Sequence, residues 1–310
     1  MIFYFSMTGN GANVARVISE RTGERAVDVA RLLAADKDGA HPFTFDLAAG
    51  ERLGFVAPTY FWGLPRPVED FVTRLGLTVD GRPLVGGAGE HERTDESGDA
   101  APGANGPKAS TDQPGDAPRE PALPFAYVVL TYGTTPGQAP RQLADLVRAR
   151  LGVQVAARHA VRMVDTWTPM FDLSDPARNQ RVTDAAQPMI REVARSVCAR
   201  EPGDFCPRLR PPALAVRISR AFYGPMSATS RFAVTDSCVG CGLCARRCPA
   251  RAIEMRDGRP AWTRGHCALC LGCLHRCPKA SIEYGPSDAS RRRTRAHGQF
   301  TNPYARRGPA

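Results

Sequence analysis

The sequence predicts an α/β fold in which a doubly wound, parallel, five-stranded sheet is followed by a small α+β domain. Across residues 1–200, short apolar runs alternate five times with stretches of helical period, and this alternation is typical of a parallel sheet with helices on both faces. A glycine-rich turn follows the first apolar run, and two matching groups of four cysteines occupy the last third of the chain. The chain therefore divides into two unlike halves.

The first 200 residues supply the predicted sheet and its helices. Apolar runs predict strands at residues 1–5, 26–33, 52–58, 124–133 and 153–164. The second of these runs also fits an irregular stretch. Apolar residues at helical spacing predict helices at residues 13–23, 68–76, 141–152 and 175–200, the last bent near Pro188. We take these elements as the first domain.

Residues 86–121 interrupt this domain with a different composition. They are rich in Gly, Pro, Asp and Ala and nearly free of large apolar side chains, so burial cannot offset the entropy of ordering them. We interpret this stretch as a disordered surface insertion, with a functional lid as the alternative.

Three further regions follow residue 200. Residues 201–230 predict a proline-rich connector that includes a short helical stretch, and residues 231–286 contain both cysteine groups. Residues 287–310 are strongly basic and predict a tail with little to fold around. The cysteine region therefore forms the second predicted domain.

Both cysteine groups have the spacing C-x2-C-x2-C-x3-C-P, and the second repeats the first at an offset of 29 residues. The cysteines are Cys238, Cys241, Cys244 and Cys248, then Cys267, Cys270, Cys273 and Cys277. Three closely spaced thiolates can hold one face of a [4Fe–4S] cube, while the x3 gap and the proline carry the fourth cysteine to the other cluster. We therefore expect two [4Fe–4S] clusters, with Cys277 completing the first and Cys248 the second. Structural zinc is the alternative, but zinc sites usually pair two C-x2-C elements.

The two remaining cysteines and two histidines beside the motifs are not expected to bind metal. Cys198 and Cys206 lie outside the repeated pattern, and we interpret them as small apolar side chains or incidental thiols. His266 and His275 lie beside motif cysteines, but a complete set of thiolates needs no imidazole. We interpret both histidines as surface residues or as residues behind the ligands.

Charge and hydropathy limit the class of partner. The formal net charge is +10, and basic residues are concentrated from Arg208 onward. Clusters held by four thiolates are anionic and the formal count omits them, so we expect acidic redox proteins as partners rather than nucleic acid. The chain has no apolar run long enough to span a membrane and no signal-peptide pattern at its start. We expect a cytoplasmic location, where cysteines serve metal or redox chemistry more often than disulfides.

Three loops follow predicted strands at the edge where parallel sheets bind ligands. The first can surround a phosphate at a helix N-terminus, although Thr and Asn also cap helices without any ligand. The second carries an aromatic cluster suited to covering a flat ring, and the third brings backbone close to a second edge of that ring. The predicted FMN site consists of Ser6, Met7, Thr8, Gly9, Asn10, Gly11, Pro58, Thr59, Tyr60, Phe61, Trp62, Gly63, Thr131, Tyr132, Gly133 and Thr134.

These motifs support a family resemblance. The S-x-T-G-N turn at residues 6–10 and the PTYFWGLP loop at 58–65 resemble flavodoxin-like FMN domains, and the cysteine motifs resemble bacterial two-cluster ferredoxins. With FYGPM at 222–226 and FTNPY at 300–304, the chain resembles the flavodoxin-fused ferredoxins of the EFR1 family. The resemblance implies a flavodoxin-like domain followed by a 2[4Fe–4S] ferredoxin domain.

The function predicted from these features is electron transfer through two [4Fe–4S] clusters and FMN. No Ser/His/Asp or Cys/His group indicates a nucleophile or a general base, so we predict no catalytic residue and leave open whether the chain is an enzyme. One alternative is an FMN-dependent oxidoreductase that acts on a small substrate near Trp62 and Trp167. The other is an iron–sulfur binding or sensing module whose flavodoxin-like domain is empty.

Overall fold

The computed structural model describes residues 1–36, 38–39, 41–84, 123–208 and 211–306. The predicted insertion at 86–121 lies outside these described residues. The first half contains strands β1 (Ile2–Tyr4), β2 (Ala26–Asp28), β3 (Phe43–Leu47), β4 (Leu53–Pro58), β5 (Leu75–Val79), β6 (Arg82–Pro83), β7 (Ala126–Tyr132) and β8 (Val155–Arg162), and the two-residue β9 (Gly203–Asp204) follows. Its helices are α1 (Asn10–Thr22), α2 (Val29–Ala35), α3 (Arg66–Arg74), α4 (Ala139–Leu151) and α5 (Pro176–Cys198).

The main sheet has six parallel strands in the order β2-β1-β4-β7-β8-β9. This mixed α/β architecture is consistent with a flavodoxin-like fold. The prediction of five strands was wrong, because it missed the sixth strand, β9, at the edge of the sheet. Strand β9 lies in the predicted connector and pairs with Ala157 and Arg158 of β8. The connector is therefore fastened to the sheet where it begins.

A second, three-stranded sheet with the order β3-β5-β6 was missed by the sequence prediction. Strand β3 is only half-buried, so its apolar signal is weak, and β5 follows α3 with no intervening turn. The predicted second strand also ends early, because the Asp28 carboxylate accepts a hydrogen bond from Arg31 N and caps α2.

Alternating side chains of the main sheet build two apolar layers. On one face Ile2 packs with Val14 of α1 and Ile190 of α5, and on the other Phe3 packs with Phe71 of α3. This division follows from the two-residue period of a strand. The helices cover both faces, so the edge formed by the strand ends remains for a site.

The second half consists of short elements around the cysteines. They are helices α6 (Ala213–Met226), α7 (Leu243–Arg246), α8 (Gly272–His275) and α9 (Asp288–Ala296), with strands β10 (Phe232–Val234), β11 (Ile253–Arg256), β12 (Arg259–Trp262) and β13 (Ile282–Tyr284). Strands β10 and β13 pair antiparallel, as do β11 and β12. Each of the two helices α7 and α8 lies inside one cysteine motif, so the repeat in sequence is also a repeat in structure.

The prediction that the basic tail has little to fold around was wrong. Helix α9 begins at a capping box formed by Ser287 and Ser290, and the tail buries Thr294, Phe300 and Asn302. The tail is therefore part of the folded protein as far as the structure describes it. Among the described residues, no helix has both the length and the apolar character that a membrane crossing requires.

Candidate metal centres and an adjoining cavity

The structure gathers the eight motif cysteines into two sets around two small cavities. We call the first set the outer centre; its cysteines are Cys238, Cys241, Cys244 and Cys277. We call the second set the inner centre; its cysteines are Cys248, Cys267, Cys270 and Cys273. Each set combines three cysteines of one motif with the fourth of the other, which is the crossed arrangement of a two-cluster ferredoxin.

Backbone conformation explains how closely spaced cysteines face one cavity. Gly240 and Gly242 of the first motif have left-handed φ angles of 67° and 68°, and Leu269 and Leu271 of the second have φ angles of 51°. These positive φ angles recur at corresponding positions, where they turn the chain between successive cysteines. A Cβ at Gly240 would lie 2.7 Å from the Gly258 carbonyl oxygen, so that position requires glycine.

Amide groups and burial set the electrostatics of the thiols. Ala252 N donates to Cys248 Sγ and Ser281 N donates to Cys277 Sγ, both at 3.3 Å and at matching positions of the two motifs. Burial raises the pKa of the Cys267 thiol to about 11 and that of Cys270 to about 12. Because metal ligands must be thiolates, bound cations would have to offset this burial, and the iron of a cluster would supply that charge.

The two centres differ in their access to solvent. At the outer centre Cys241 is exposed and the neighbouring Val239 is 60% exposed. At the inner centre Cys248 is buried, and Leu269 and Leu271 are almost fully buried. The outer centre is therefore the one that a second molecule can approach.

A larger cavity of about 400 Å³ opens at the carboxyl edge of the main sheet. It contains all three predicted loops, which lie after β1, β4 and β7. The predicted residues on its wall are Ser6, Met7, Thr8, Asn10, Gly11, Pro58, Thr59, Tyr60, Phe61, Trp62, Thr131, Tyr132, Gly133 and Thr134. A volume of this size is within the range of small-molecule and cofactor sites.

Two predicted residues lie elsewhere. Gly9 is not on the cavity wall; a Cβ there would lie 2.8 Å from the Cβ of Ala305, which belongs to the tail. Gly63 is also off the wall, and a Cβ there would lie 2.9 Å from Arg220 Nη1. Both glycines permit close packing against the second half of the chain.

The cavity also has walls that the sequence prediction missed. One is the loop after β8, including Asp165, and others are Ser219 of α6 and the segment Leu269–Leu271. Trp167 of the same loop also lines the cavity; it was expected there only under the alternative of an FMN-dependent oxidoreductase. The sequence could have predicted that the β8 loop lines the cavity, because this loop follows the carboxyl end of a predicted strand. Ser219 and the Leu269–Leu271 segment reach the cavity through tertiary packing, which leaves no local sequence signal.

One corner of the cavity has the character of an anion site. Ser6 Oγ is buried there and has no hydrogen-bond partner within the described residues. Helix α1 begins at Asn10 and has no acidic residue in its first turn. Its N-cap residue, Gly9, has no side chain that could cap the first amides of the helix. A helix N-terminus favours negative charge, and an unpaired buried hydroxyl favours a ligand that pairs with it.

The inner centre and the larger cavity share a wall. Met7, Cys270 and Leu271 line both spaces. Tyr60 packs in the same apolar cluster as Cys270, and burial raises the pKa of its hydroxyl well above the usual value. A molecule bound in the cavity would therefore lie next to Cys270, a cysteine of the inner centre.

The two histidines lie in different environments, and neither contradicts the prediction of a position on the surface or behind the ligands. His266 is exposed, as expected, and its Nδ1 lies 3.0 Å from Ser227 Oγ. His275 was expected on the surface or behind the ligands; it is buried, and its Nε2 lies 2.9 Å from Thr166 O. Burial lowers the pKa of His275 to about 4, so this imidazole is neutral and joins the cysteine motif to the β8 loop.

Comparison with known proteins identifies the domain that carries the cysteines. Residues 237–282 match the family model described as a 4Fe–4S dicluster domain. Comparisons with curated proteins and with solved structures find no match to the chain. In the described ranges no three His, Cys, Asp or Glu side chains are arranged for a single metal ion. The matched domain and the cysteine motifs together support iron–sulfur electron transfer by a ferredoxin-type domain.

Proposed function

We propose that this protein is an electron carrier in which FMN occupies the 400 Å³ cavity and exchanges electrons with the two [4Fe–4S] clusters. The observation that carries the proposal is the shared wall, since Met7, Cys270 and Leu271 line both the cavity and the inner centre. The cavity lies directly against the inner centre, so a flavin bound in the cavity would be next to the cluster from which it takes an electron. FMN accepts one or two electrons, so it would connect single-electron clusters to two-electron chemistry.

The cavity residues fit the two ends of FMN. Ser6 Oγ and the N-terminus of α1 suit the phosphate, because both offer hydrogen-bond donors and the first turn of α1 contains no acidic residue. The aromatic side chains of Tyr60, Trp62 and Trp167 suit a flat ring. This division of roles follows the chemistry of the side chains in the cavity wall.

The outer centre is the proposed contact with external redox partners. Cys241 is exposed there, Arg246 Nη1 donates to Cys241 O at 3.0 Å, and the exposed Lys279 lines the same small cavity. Positive charge at this edge favours an acidic partner protein, because complementary charge speeds the encounter. Electrons would then pass from partner to outer centre, inner centre and cavity, or in reverse.

Anaerobic purification tests this proposal. We expect about eight iron and about eight sulfide per chain from two cubane clusters, and about one FMN released on denaturation. The Ser6→Ala variant removes the unpaired hydroxyl and should lower the FMN content while the iron content holds. Protein that binds its iron but takes up no flavin from an excess of FMN would contradict the proposal and favour an iron–sulfur module.

One observation favours a second function, reduction of a small substrate beside the flavin. Asp165 lies in the cavity wall, its Oδ1 accepts from Trp167 N at 3.1 Å, and burial raises the pKa of its carboxyl. A carboxyl with a raised pKa stays protonated to a higher pH than usual, and it can donate that proton to a substrate during a reduction. The Asp165→Asn variant would then lose substrate turnover while reduction of its flavin by the clusters continues; equal loss of both contradicts this role.

A further inference from the structure

The anion-binding loop of the first half is held from behind by the second half. Arg276 Nε donates to Met7 O at 2.6 Å and its Nη2 to Ser6 O at 3.4 Å, and Asn302 N donates to Thr8 O at 2.8 Å. Three consecutive loop carbonyls therefore point toward donors outside the cavity wall. In a trans peptide the carbonyl and the following N–H point in opposite directions. The amides of residues 7–9 are thus directed away from Arg276 and Asn302.

The segment that carries Asn302 is anchored at several points; we call residues 297–306 the C-terminal strap. His297 O accepts from Leu173 N at 2.7 Å, and Gln299 Nε2 donates to Leu274 O and Cys277 O at 2.5 and 2.9 Å. These bonds fasten the strap to the loop before α5 and to the cysteine motif. Further along, Tyr304 Oη donates to Asp184 Oδ1 at 2.7 Å on α5.

Asn302 is the point where the strap meets the loop. It is fully buried, and its Nδ2 donates to Asn10 Oδ1 at 3.1 Å, while Asn10 Nδ2 donates to Val164 O at 3.1 Å. The Asn10 amide is thus fixed from both sides. Gly9, whose φ is 92°, has no room for a side chain, because a Cβ there would lie 3.0 Å from Asn302 Cβ. The strap therefore contacts the loop through both its backbone and its side chains.

We propose that Asn302 is a positioning residue for a phosphate in the loop at residues 6–11, so that recognition of a phosphorylated flavin depends on the C-terminal strap. The inference rests on the proposed function, since it concerns the phosphate of the same FMN. Arg276 braces the two preceding carbonyls, so the second half of the chain completes the phosphate site of the first. A donor set built in this way distinguishes FMN from riboflavin, which lacks the phosphate.

The test compares FMN with riboflavin on full-length, anaerobically purified protein stripped of flavin. Asn302→Ala keeps the backbone bond to Thr8 O but removes the Nδ2 bond that fixes Asn10. It should raise the Kd for FMN about tenfold, which corresponds to the loss of one buried hydrogen bond. Its Kd for riboflavin should change less than about twofold, since riboflavin makes no use of the loop. Asn302→Asp should weaken FMN binding further, because a carboxylate repels the phosphate. The control Tyr304→Phe removes an exposed hydrogen bond of the same strap, so it should change both Kd values by less than about twofold and leave the iron content unchanged.

Hydrogen exchange tests the strap independently of any flavin. The amides of residues 7–9 should exchange faster in Asn302→Ala than in the wild type or in Tyr304→Phe. Equal weakening of FMN and riboflavin by Asn302→Ala, or unchanged exchange in the loop, overturns the positioning role. If wild-type protein binds neither flavin, the proposed function and the positioning role fail together; faster loop exchange in that case shows only that the strap orders the loop.

Discussion

The two cysteine motifs share a backbone conformation and differ in what surrounds it. At the two left-handed positions the first motif has Gly240 and Gly242, whereas the second has Leu269 and Leu271. Leucine in this conformation costs about 1–2 kcal/mol per residue, and glycine avoids that cost. Both leucines are buried, and burying a leucine contributes about 1.5–3 kcal/mol. At the inner centre, leucines in a strained backbone conformation therefore form an apolar wall toward the cavity. At the outer centre, unstrained glycines leave the cysteines open to solvent.

Removing a crossed cysteine should break this comparison most severely. Cys248→Ala takes the fourth ligand from the inner centre, and Cys277→Ala takes it from the outer centre. Each variant should lose about half of the iron. Only Cys248→Ala should abolish electron exchange between the clusters and FMN in the cavity, and it should leave the outer cluster intact. Iron content and the spectrum of each reduced cluster check this. Selective damage to the outer cluster by Cys248→Ala would refute the crossed assignment.

Exchanging the residues at one left-handed position should have the next largest effect. Leu271→Gly relieves the backbone but removes a buried side chain, with a net loss of about 1–3 kcal/mol of stability. Gly242→Leu strains the outer motif by about 1–2 kcal/mol and crowds Arg246 Nη1, which lies 2.9 Å from the site of the new Cβ.

The two substitutions are also separated by their effect on oxygen sensitivity. Leu271→Gly should make the inner cluster decay faster in air, because it opens the wall toward the cavity, and Gly242→Leu should not. Anaerobic denaturation and timed exposure to air measure the two properties. Faster decay of the inner cluster in Gly242→Leu instead would show that the leucine wall does not protect it.

A buried carboxyl in the cavity wall and an exposed carboxyl near the outer centre should differ in their effect on stability. Burial raises the pKa of Asp165 above 3.8, so the folded protein keeps this proton to a higher pH than the unfolded chain does. Stability contributed by Asp165 therefore falls as the pH rises from about 4 through the raised pKa. Asp165→Asn should therefore stabilise the protein at pH 7 and raise its Tm.

The fully exposed Asp236, near the outer centre, provides the control for this substitution. Asp236→Asn should shift Tm little, and the gain from Asp165→Asn should shrink as the pH is lowered through the raised pKa of Asp165. Anaerobic thermal unfolding across this range checks both. A constant difference between Asp165→Asn and wild type would mean that the carboxyl is not destabilised by burial.

Charge at the outer centre should have the smallest effect. Changing both Arg246 and Lys279 to Ala removes positive charge near the exposed Cys241. Electron transfer from an acidic redox protein should slow several-fold and lose part of its salt dependence. Reduction by dithionite should stay the same, because that reagent needs no docked complex. An unchanged rate with the acidic protein would place the docking surface elsewhere.

The sequence predicted the parts of this molecule whose signal is local. Cysteine spacing indicated both sets of cysteines, and apolar runs placed the loops around the cavity. Strand β3 was missed because half of it is exposed, and the strap was missed because a basic segment with few apolar residues gives no sign of burial. Asn302 and the leucine wall depend on contacts between residues far apart in the chain, which no local pattern encodes.

The proposed path from clusters to flavin within one molecule is tested most directly by stopped-flow reduction. The clusters of FMN-loaded protein are reduced under anaerobic conditions, and the absorbance of the flavin is followed at several protein concentrations. Because the inner centre and the cavity share Met7, Cys270 and Leu271, we expect transfer to occur within one molecule, where it would gain from effective concentration. We predict a rate of flavin reduction that is independent of protein concentration. A rate that rises in proportion to concentration would mean that electrons pass between molecules, and it would contradict this account.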